Sequence, residues 1–292
     1  MQKNNVMMVV NPISGGVDKW DLIEEVKHYA ENLNLNFYCF ETTGVNDLQN
    51  IKDYYAKYQP DRVLIAGGDG TIKLVAEALE NEDVLLGILP VGSANGLATD
   101  LGLIKSQEEN IAIAFQDYFV VIDFIRINNK MCLHLSDIGL NADLIKNYEK
   151  SPLRGKLGYA LQIFKTVSRL RKSFQVHIKT SDQLIETKAQ MIVIANSQKY
   201  GTGVMINPIG IMGDGKFELI VLKKLSFSVF WKIIRGQITV SSKDITVIST
   251  EKAMIQINKP ISFQIDGEFY GKESNLDVQI KTRKLKVAML KV

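Results

Sequence analysis

Cysteine and histidine are scarce in this 292-residue chain. Cys39 and Cys132 form no CxxC pair, and His28, His134 and His177 do not cluster with them. That excludes a disulfide framework and a Cys/His zinc site, and it makes a reducing cytosol the expected location. Long apolar runs are missing too. No segment reaches the roughly 20 residues a bilayer-crossing helix needs, and Met1-Gln2-Lys3-Asn4-Asn5 leads into a short strand with no signal-peptide core. Any encounter with lipid is therefore expected from the water side. Charge is nearly balanced, 35 basic against 32 acidic residues for a net +3, so nucleic acid is not an expected partner. Two phosphate-binding fingerprints are also absent. Gly68-Asp69-Gly70 is followed by Lys73 where the dinucleotide pattern needs a third glycine, and no Gly-Lys-Ser/Thr of a Walker A loop occurs.

What is present centres on Val63-Leu64-Ile65-Ala66-Gly67-Gly68-Asp69-Gly70-Thr71, an apolar run that stops at three glycines around one carboxylate. It reads as strand, tight loop, helix. Glycine allows close backbone approach, and the N–H groups that open a helix carry positive partial charge, so such a corner suits phosphate. A carboxylate there repels phosphate unless magnesium or a proton-donating hydroxyl stands between them. Asp69 therefore points to phosphoryl chemistry, the acid acting on metal or acceptor.

Alternating patterns through the first 120 residues predict strands at Val6–Val10, Leu35–Phe40, Arg62–Ala66 and Val84–Leu89. Helices are predicted at Asp21–Leu33, Val45–Tyr58, Thr71–Glu80 and Gln107–Asp117, making a doubly wound α/β domain. In such sheets ligands gather at the strands' carboxyl ends. Three loops there share one composition: Asn11-Pro12-Ile13-Ser14-Gly15-Gly16, Gly67 to Thr71, and Pro90-Val91-Gly92-Ser93-Ala94-Asn95-Gly96. A structural turn needs a glycine or two but has no use for hydroxyls and amides converging from three strands. The expectation is a composite nucleotide-phosphate site, with Ser14, Thr71, Ser93 and Asn95 as polar contacts beside backbone N–H groups.

Beyond residue 124 the pattern shortens to strands at regular spacing. Val120–Ile127 and Met131–Ser136 flank an Asn128-Asn129 turn; Phe174–Lys179, Leu184–Ala195, Phe217–Leu222, Thr246–Ser249, Ala253–Ile257, Ile261–Ile265 and Leu276–Ile280 follow. These predict a mainly antiparallel β-sandwich over 125–283 after an α/β domain at 1–124, with a last strand, 284–292, returning to the first domain. Between Lys146 and Lys172 eight basic residues face the single acid Glu149, a net +7, with Leu153, Leu157, Tyr159, Leu161 and Phe164 interleaved. This is either a solvated helix face or a dock for anionic lipid headgroups. Lys223–Arg235, with Phe227, Phe230, Trp231 and Ile234, reads first as core packing.

Two further Asp-Gly pairs precede or follow strands: Asp214-Gly215, and Asp266-Gly267 in Ile265-Asp266-Gly267-Glu268. Singly each is a turn. In order, however, Asn-Pro-x-Ser-Gly-Gly, Gly-Gly-Asp-Gly-Thr, Gly-Ser-x-Asn-x-Leu-Ala, Asp-Gly and Ile-Asp-Gly-Glu resemble the diacylglycerol kinase catalytic family, which includes bacterial lipid kinases and is similar to sphingosine kinases. The resemblance extends to Gly155-Lys156-Leu157-Gly158-Tyr159 and Ile194-Ala195-Asn196-Ser197 and covers nearly the whole chain. It implies a nucleotide-binding α/β domain beside a β-sandwich, and ATP- and Mg2+-dependent phosphorylation of a lipid hydroxyl, diacylglycerol-like or sphingoid, within phospholipid metabolism. By motif, Asn11, Pro12, Ile13, Ser14, Gly15, Gly67, Gly68, Asp69, Gly70, Thr71, Ile72, Gly92, Ser93 and Asn95 would hold ATP, with Thr43 as a further contact. Asp266 or Glu268 would take the hydroxyl proton, with Asp69 acting through magnesium or orienting the acceptor. Asp214, with the carbonyls of Ile211 and Lys216, would hold a structural magnesium. The enzyme would sit in the cytoplasm, peripheral to an anionic membrane, and a homodimer is allowed.

The sequence departs from the family pattern at Gly96, where bacterial members carry an Asp, and at Gly16, where many carry a Lys that Lys19 would replace. Ser93 and the lost Asp look more like the sphingosine-kinase branch. Two other readings compete: a soluble kinase related to NAD kinases, which share Gly-Gly-Asp-Gly-Thr, and a non-catalytic lipid or nucleotide binder.

Overall fold

The computed structural model describes residues 4–16, 18–139, 173–199, 205–224, 226, 229, 235 and 242–291. The basic stretch 146–172, with its Gly155 to Tyr159 motif, lies outside the described residues, as does most of 223–235. The chain forms two compact units, Met1–Ile122 with Arg283–Val292, and Asp123–Thr282.

The first unit is built on four parallel strands, β1 (Asn5–Val10), β2 (Asn36–Glu41), β3 (Arg62–Gly67) and β4 (Leu85–Pro90), in the order β4-β3-β1-β2. Register sets Val9 beside Ile65 and Ile65 beside Ile88. Every residue of β3 is buried, which is why that strand reads as an unbroken apolar run rather than an alternating one. Five helices accompany the strands among the described residues: α1 (Trp20–Asn32), α2 (Asp47–Tyr58), α3 (Asp69–Ala78), α4 (Gly96–Asp100) and α5 (Gln107–Ala114). Leu22, Ile23 and Val26 of α1 and Ile111 and Ala114 of α5 close one core with Val6, Met8, Leu64 and Leu89. A capping box between Ser106 and Glu109 starts α5. Buried Arg62 closes its other end, donating to the carbonyls of Ala114 and Gln116 at 2.8 and 2.7 Å and to Asp117 at 2.8 Å.

The second unit is antiparallel. After β5 (Phe119–Ile127) come β6 (Lys130–Cys132), β7 (Leu135–Ile138), β8 (Phe174–Thr180), β9 (Leu184–Ala189), β10 (Met191–Ala195), β11 (Phe217–Leu222), β12 (Ile245–Thr250), β13 (Lys252–Ile265) and β14 (Glu268–Ala288). Strand β8 alternates buried and exposed without exception, the period-two signature of a half-covered sheet. One apolar cluster takes Ile192, Ile194, Phe217, Leu219, Ala253, Ile255 and Phe263; a second takes Met191, Val193, Ile220 and Ile245 from opposite faces of the same strands. The fold is thus an α/β domain followed by an antiparallel β-sandwich.

Several boundaries differ from the sequence expectation. The strand expected over Met131–Ser136 breaks at Leu133-His134, and Leu184–Ala195 breaks at Gln190 into β9 and β10. Conversely, Ala253–Ile257 and Ile261–Ile265 are one strand, carried past Asn258-Lys259-Pro260 by a bulge between Gln256 and Ile261. β14 runs on until Lys286 and Val287 pair in parallel with Leu85 and Leu86, so the terminal strand belongs to the first sheet. α4 was not expected, and α3 begins at Asp69 rather than Thr71. Among the described residues no helix is long and apolar enough to cross a membrane.

Candidate active site

The three glycine-rich loops of the first unit meet at the carboxyl ends of β1, β3 and β4, and their own side chains tie them together. Asn11 folds its first loop by accepting from Ile13 N–H at 3.2 Å and reaches the second by donating to Thr71 Oγ1 at 3.3 Å. Ser14 Oγ donates to the Val91 carbonyl at 3.5 Å, and Val91 N–H donates to the Gly67 carbonyl at 3.1 Å. Packing leaves no room for side chains where the loops cross. A Cβ on Gly92 would lie 2.3 Å from Gly68 Cα, and one on Gly15 would lie 2.3 Å from the Val91 oxygen. Within the third loop Asn95, in the left-handed region at φ 53°, accepts from Gly92 N–H at 2.9 Å and donates to its carbonyl at 2.8 Å.

Asp69 is the strongest of these ties. Its carboxylate accepts from the N–H groups of Gly96 at 2.8 Å and Leu97 at 3.0 Å, the first two residues of α4. One acid thereby caps a second helix while standing in the first turn of its own. The chain's departure from the family pattern falls in this contact: Gly96 offers Asp69 a backbone donor, and no second carboxylate stands at that position.

The predicted contact residues divide accordingly. Pro12, Ile13, Gly15, Gly70 and Ser93 are exposed, Ile13 to 85%. Thr71 and Ile72 are buried, and both N–H groups donate to the Gly68 carbonyl. Thr43 Oγ1 donates to Asp47 at 3.2 Å, and the N–H groups of Thr43 and Gly44 donate to the same carboxylate at 2.9 and 2.7 Å. Asp47 is buried at the start of α2, and sequence reasoning passed over it. Lys19 is buried as well and donates to the Ser14 carbonyl at 2.7 Å, bracing the first loop from below.

In the second unit Asp266 and Gly267 make a two-residue hairpin turn between β13 and β14, both at positive φ (50° and 86°). Asp266 is heavily engaged. It accepts from the N–H groups of Leu133, His134 and Leu135 at 3.0, 2.9 and 3.2 Å, and Cys132 Sγ donates at 3.5 Å. Those donors explain the break between β6 and β7. Glu268, two residues on, is exposed, and Tyr270 donates to its Oε2 at 3.1 Å.

Asp214 occupies a turn in the same unit. Its N–H donates to the Ile211 carbonyl at 3.4 Å, and its Oδ1 accepts from Lys216 N–H at 3.0 Å. Asp123, fully buried, accepts from Gly215 N–H at 2.8 Å and holds the turn against β5. A lone acid in the apolar run Val120–Ile127 was the sequence signal for it. Nearby Glu218 is buried between Asn207 and Ser249, which donate to it at 2.7 and 2.8 Å; burial raises its pKa, and the charge of Asp214 adds to the rise. Among the described residues no three His, Cys, Asp or Glu side chains gather to hold a metal. The donors expected there, the Asp214 carboxylate and two carbonyls, are of the oxygen type that magnesium takes, and that ion usually keeps several waters.

Comparison with known proteins bears on what these parts serve. Residues 5–127 match the model of the diacylglycerol kinase catalytic domain, and residues 137–289 that of the YegS C-terminal NAD kinase beta sandwich-like domain. The chain belongs to the diacylglycerol kinase family. It is 23% identical over 273 residues to a diacylglycerol kinase of Bacillus subtilis (strain 168), covering 90% of this chain and 89% of the relative. It is 26% identical over 243 residues to the "Probable lipid kinase YegS" of Salmonella newport (strain SL254), covering 80% of each. A solved diacylglycerol kinase structure from Bacillus anthracis str. Sterne superposes with a TM-score of 0.77 at 17% identity, covering 99% of this chain and 98% of that one, which supports the fold.

Proposed function

We propose that this chain is a lipid kinase that transfers the γ-phosphoryl group of ATP to the hydroxyl of a diacylglycerol-like or sphingoid lipid, with Glu268 as the general base. One observation carries the assignment: three backbone N–H groups and a thiol already occupy Asp266, whereas the neighbouring Glu268 is exposed at the hairpin. A carboxylate accepting several N–H bonds is stabilised as the anion and spatially committed, so it serves better as an anchor than as a proton acceptor. Asp266 then fixes the turn that presents Glu268.

On the nucleotide side the ties described above use up most side-chain donors, so backbone groups take the phosphates. The N–H groups of Asp69 and Gly70 open α3 and have no intrahelical acceptor. Asn11, Ser14, Thr43, Thr71, Asn95 and Asp69 hold the loops in register, and Gly15, Gly68 and Gly92 let the backbones approach one another. Gly67 and Ile72 belong to the strand and helix that frame the second loop, while Pro12 and Ile13 are exposed on the first loop and Ser93 on the third. Magnesium would be held at Asp214 and the carbonyls of Ile211 and Lys216 and would supply fixed positive charge at that turn. In the transfer the acceptor oxygen bonds to phosphorus, the bond to ADP breaks, and the acceptor proton passes to Glu268; such a base contributes about 10²- to 10⁴-fold.

The test incubates the full chain with γ-labelled ATP, magnesium and either a lipid extract or NAD, and identifies the labelled product by mass. Label in lipid that falls about 10²-fold or more in Glu268→Gln, while ATP binding persists, supports the reading. Label only in NAD, or parent-rate turnover by Glu268→Gln, refutes it. The +7 segment supports a membrane-peripheral enzyme, since each basic residue near an anionic surface contributes about 1 kcal/mol. Binding to anionic vesicles should fall steeply with added salt; salt-insensitive binding to neutral vesicles would contradict an electrostatic role.

A further inference from the structure

The strand that carries Glu268 is bulged two residues later. Ser262 of β13 pairs with Lys272 of β14 and Gln264 with Phe269, so Phe263 alone faces both Tyr270 and Gly271. Gly271 lies in the left-handed region at φ 89°, and a Cβ there would meet no atom within 4 Å. Glycine is thus required by backbone conformation and not by space. A bulge of this kind increases local twist and re-aims the side chains around it. The side chain so aimed is Tyr270, whose hydroxyl donates to Glu268 Oε2 at 3.1 Å. Its ring is held from two sides, by Phe263 at 6.5 Å between centroids and by the Lys130 ammonium 4.8 Å above it.

We propose that Tyr270 is a positioning residue for the phosphoryl transfer, its hydroxyl holding the Glu268 carboxylate toward the acceptor. The inference rests on the reading of Glu268 as the base. A carboxylate that must meet a reacting hydroxyl carries an entropic cost of ordering its side chain. A partner held by the fold removes that cost before the substrate arrives. Tyr270 keeps its own proton throughout; the proton that moves is the acceptor's, which passes to Glu268 as the new O–P bond forms.

The experiment compares the parent, Tyr270→Phe, Glu268→Gln and the double variant, measuring turnover with labelled ATP and saturating lipid, KM for ATP, and thermal unfolding. Phenylalanine keeps the ring between Phe263 and Lys130 and removes only the hydroxyl. The expected result is a kcat about tenfold lower in Tyr270→Phe, with KM for ATP and the unfolding midpoint unchanged, and less than about twofold further loss when the same change is made in Glu268→Gln. Equal loss in both backgrounds would show that Tyr270 acts on the fold and not through Glu268. Parent-rate turnover by Tyr270→Phe, with Glu268→Gln impaired, would overturn the positioning role alone. Parent-rate turnover by Glu268→Gln would overturn the base assignment and the inference together. Gly271→Ala, which opposes the bulge without steric conflict, should reproduce the kcat loss.

Discussion

Replacing Asp69 by asparagine is the sharpest probe of how the nucleotide loops are held. The carboxylate accepts from two backbone N–H groups at the start of α4, at 2.8 and 3.0 Å. Hydrogen bonds to a charged group contribute about 1.5–3 kcal/mol each. Asparagine keeps one oxygen but turns an amino group toward the second N–H, so one bond is lost and two donors oppose each other. Asp69 is only partly buried, which lets water recover some of the loss, and a net cost of about 2 kcal/mol follows. If that energy holds the third loop against the second, ATP binding weakens by about 30-fold. Calorimetric titration with ATP, alongside thermal unfolding of the same samples, reads both quantities. An Asp69→Asn variant that binds ATP as the parent does and unfolds at the same temperature refutes the clamp; a fall in kcat alone would place the carboxylate in the chemistry instead.

Gly92→Ala should push the second and third loops apart, because its Cβ would fall 2.3 Å from Gly68 Cα. Overpacking against backbone costs about 1–3 kcal/mol, so we expect a lower unfolding midpoint and loss of ATP binding by titration. Glu218 makes the stability of the second unit depend on pH. Burial raises its folded pKa above the ordinary 4.5, so the folded state binds more protons than the unfolded one. Its contribution is then fully present below that ordinary value and lost as pH rises through the folded value. Denaturant titrations of Glu218→Gln across that range should show a flatter pH profile than the parent; parallel profiles would contradict the assignment.

Much of the fold was legible because its signals are local. Strands β1, β3 and β4 are near-continuous apolar runs and β8 strict alternation, and both patterns follow from which faces are buried. Errors arose where a distant partner overrules local chemistry. Pro260 reads as a strand stop, yet β13 passes it through a bulge, and Leu133-His134 reads as strand interior until three N–H groups turn to Asp266, more than 130 residues away.

The candidate site divides in the same way. Sequence alone determined that three glycine-rich corners and an Asp-Gly-Glu hairpin exist, since composition and spacing suffice to mark places where backbone must turn or approach a phosphate. Tertiary structure decided what each polar side chain does there. Asp69, Asn11, Asn95 and Asp266 spend their hydrogen bonds on backbone N–H groups, neighbouring side chains and carbonyls across loops, and Asp47 and Asp123 join them from positions no motif marks. A donor's partner depends on which strands lie side by side, and that is fixed by the packing of the whole unit, not by the residues next to it in the chain.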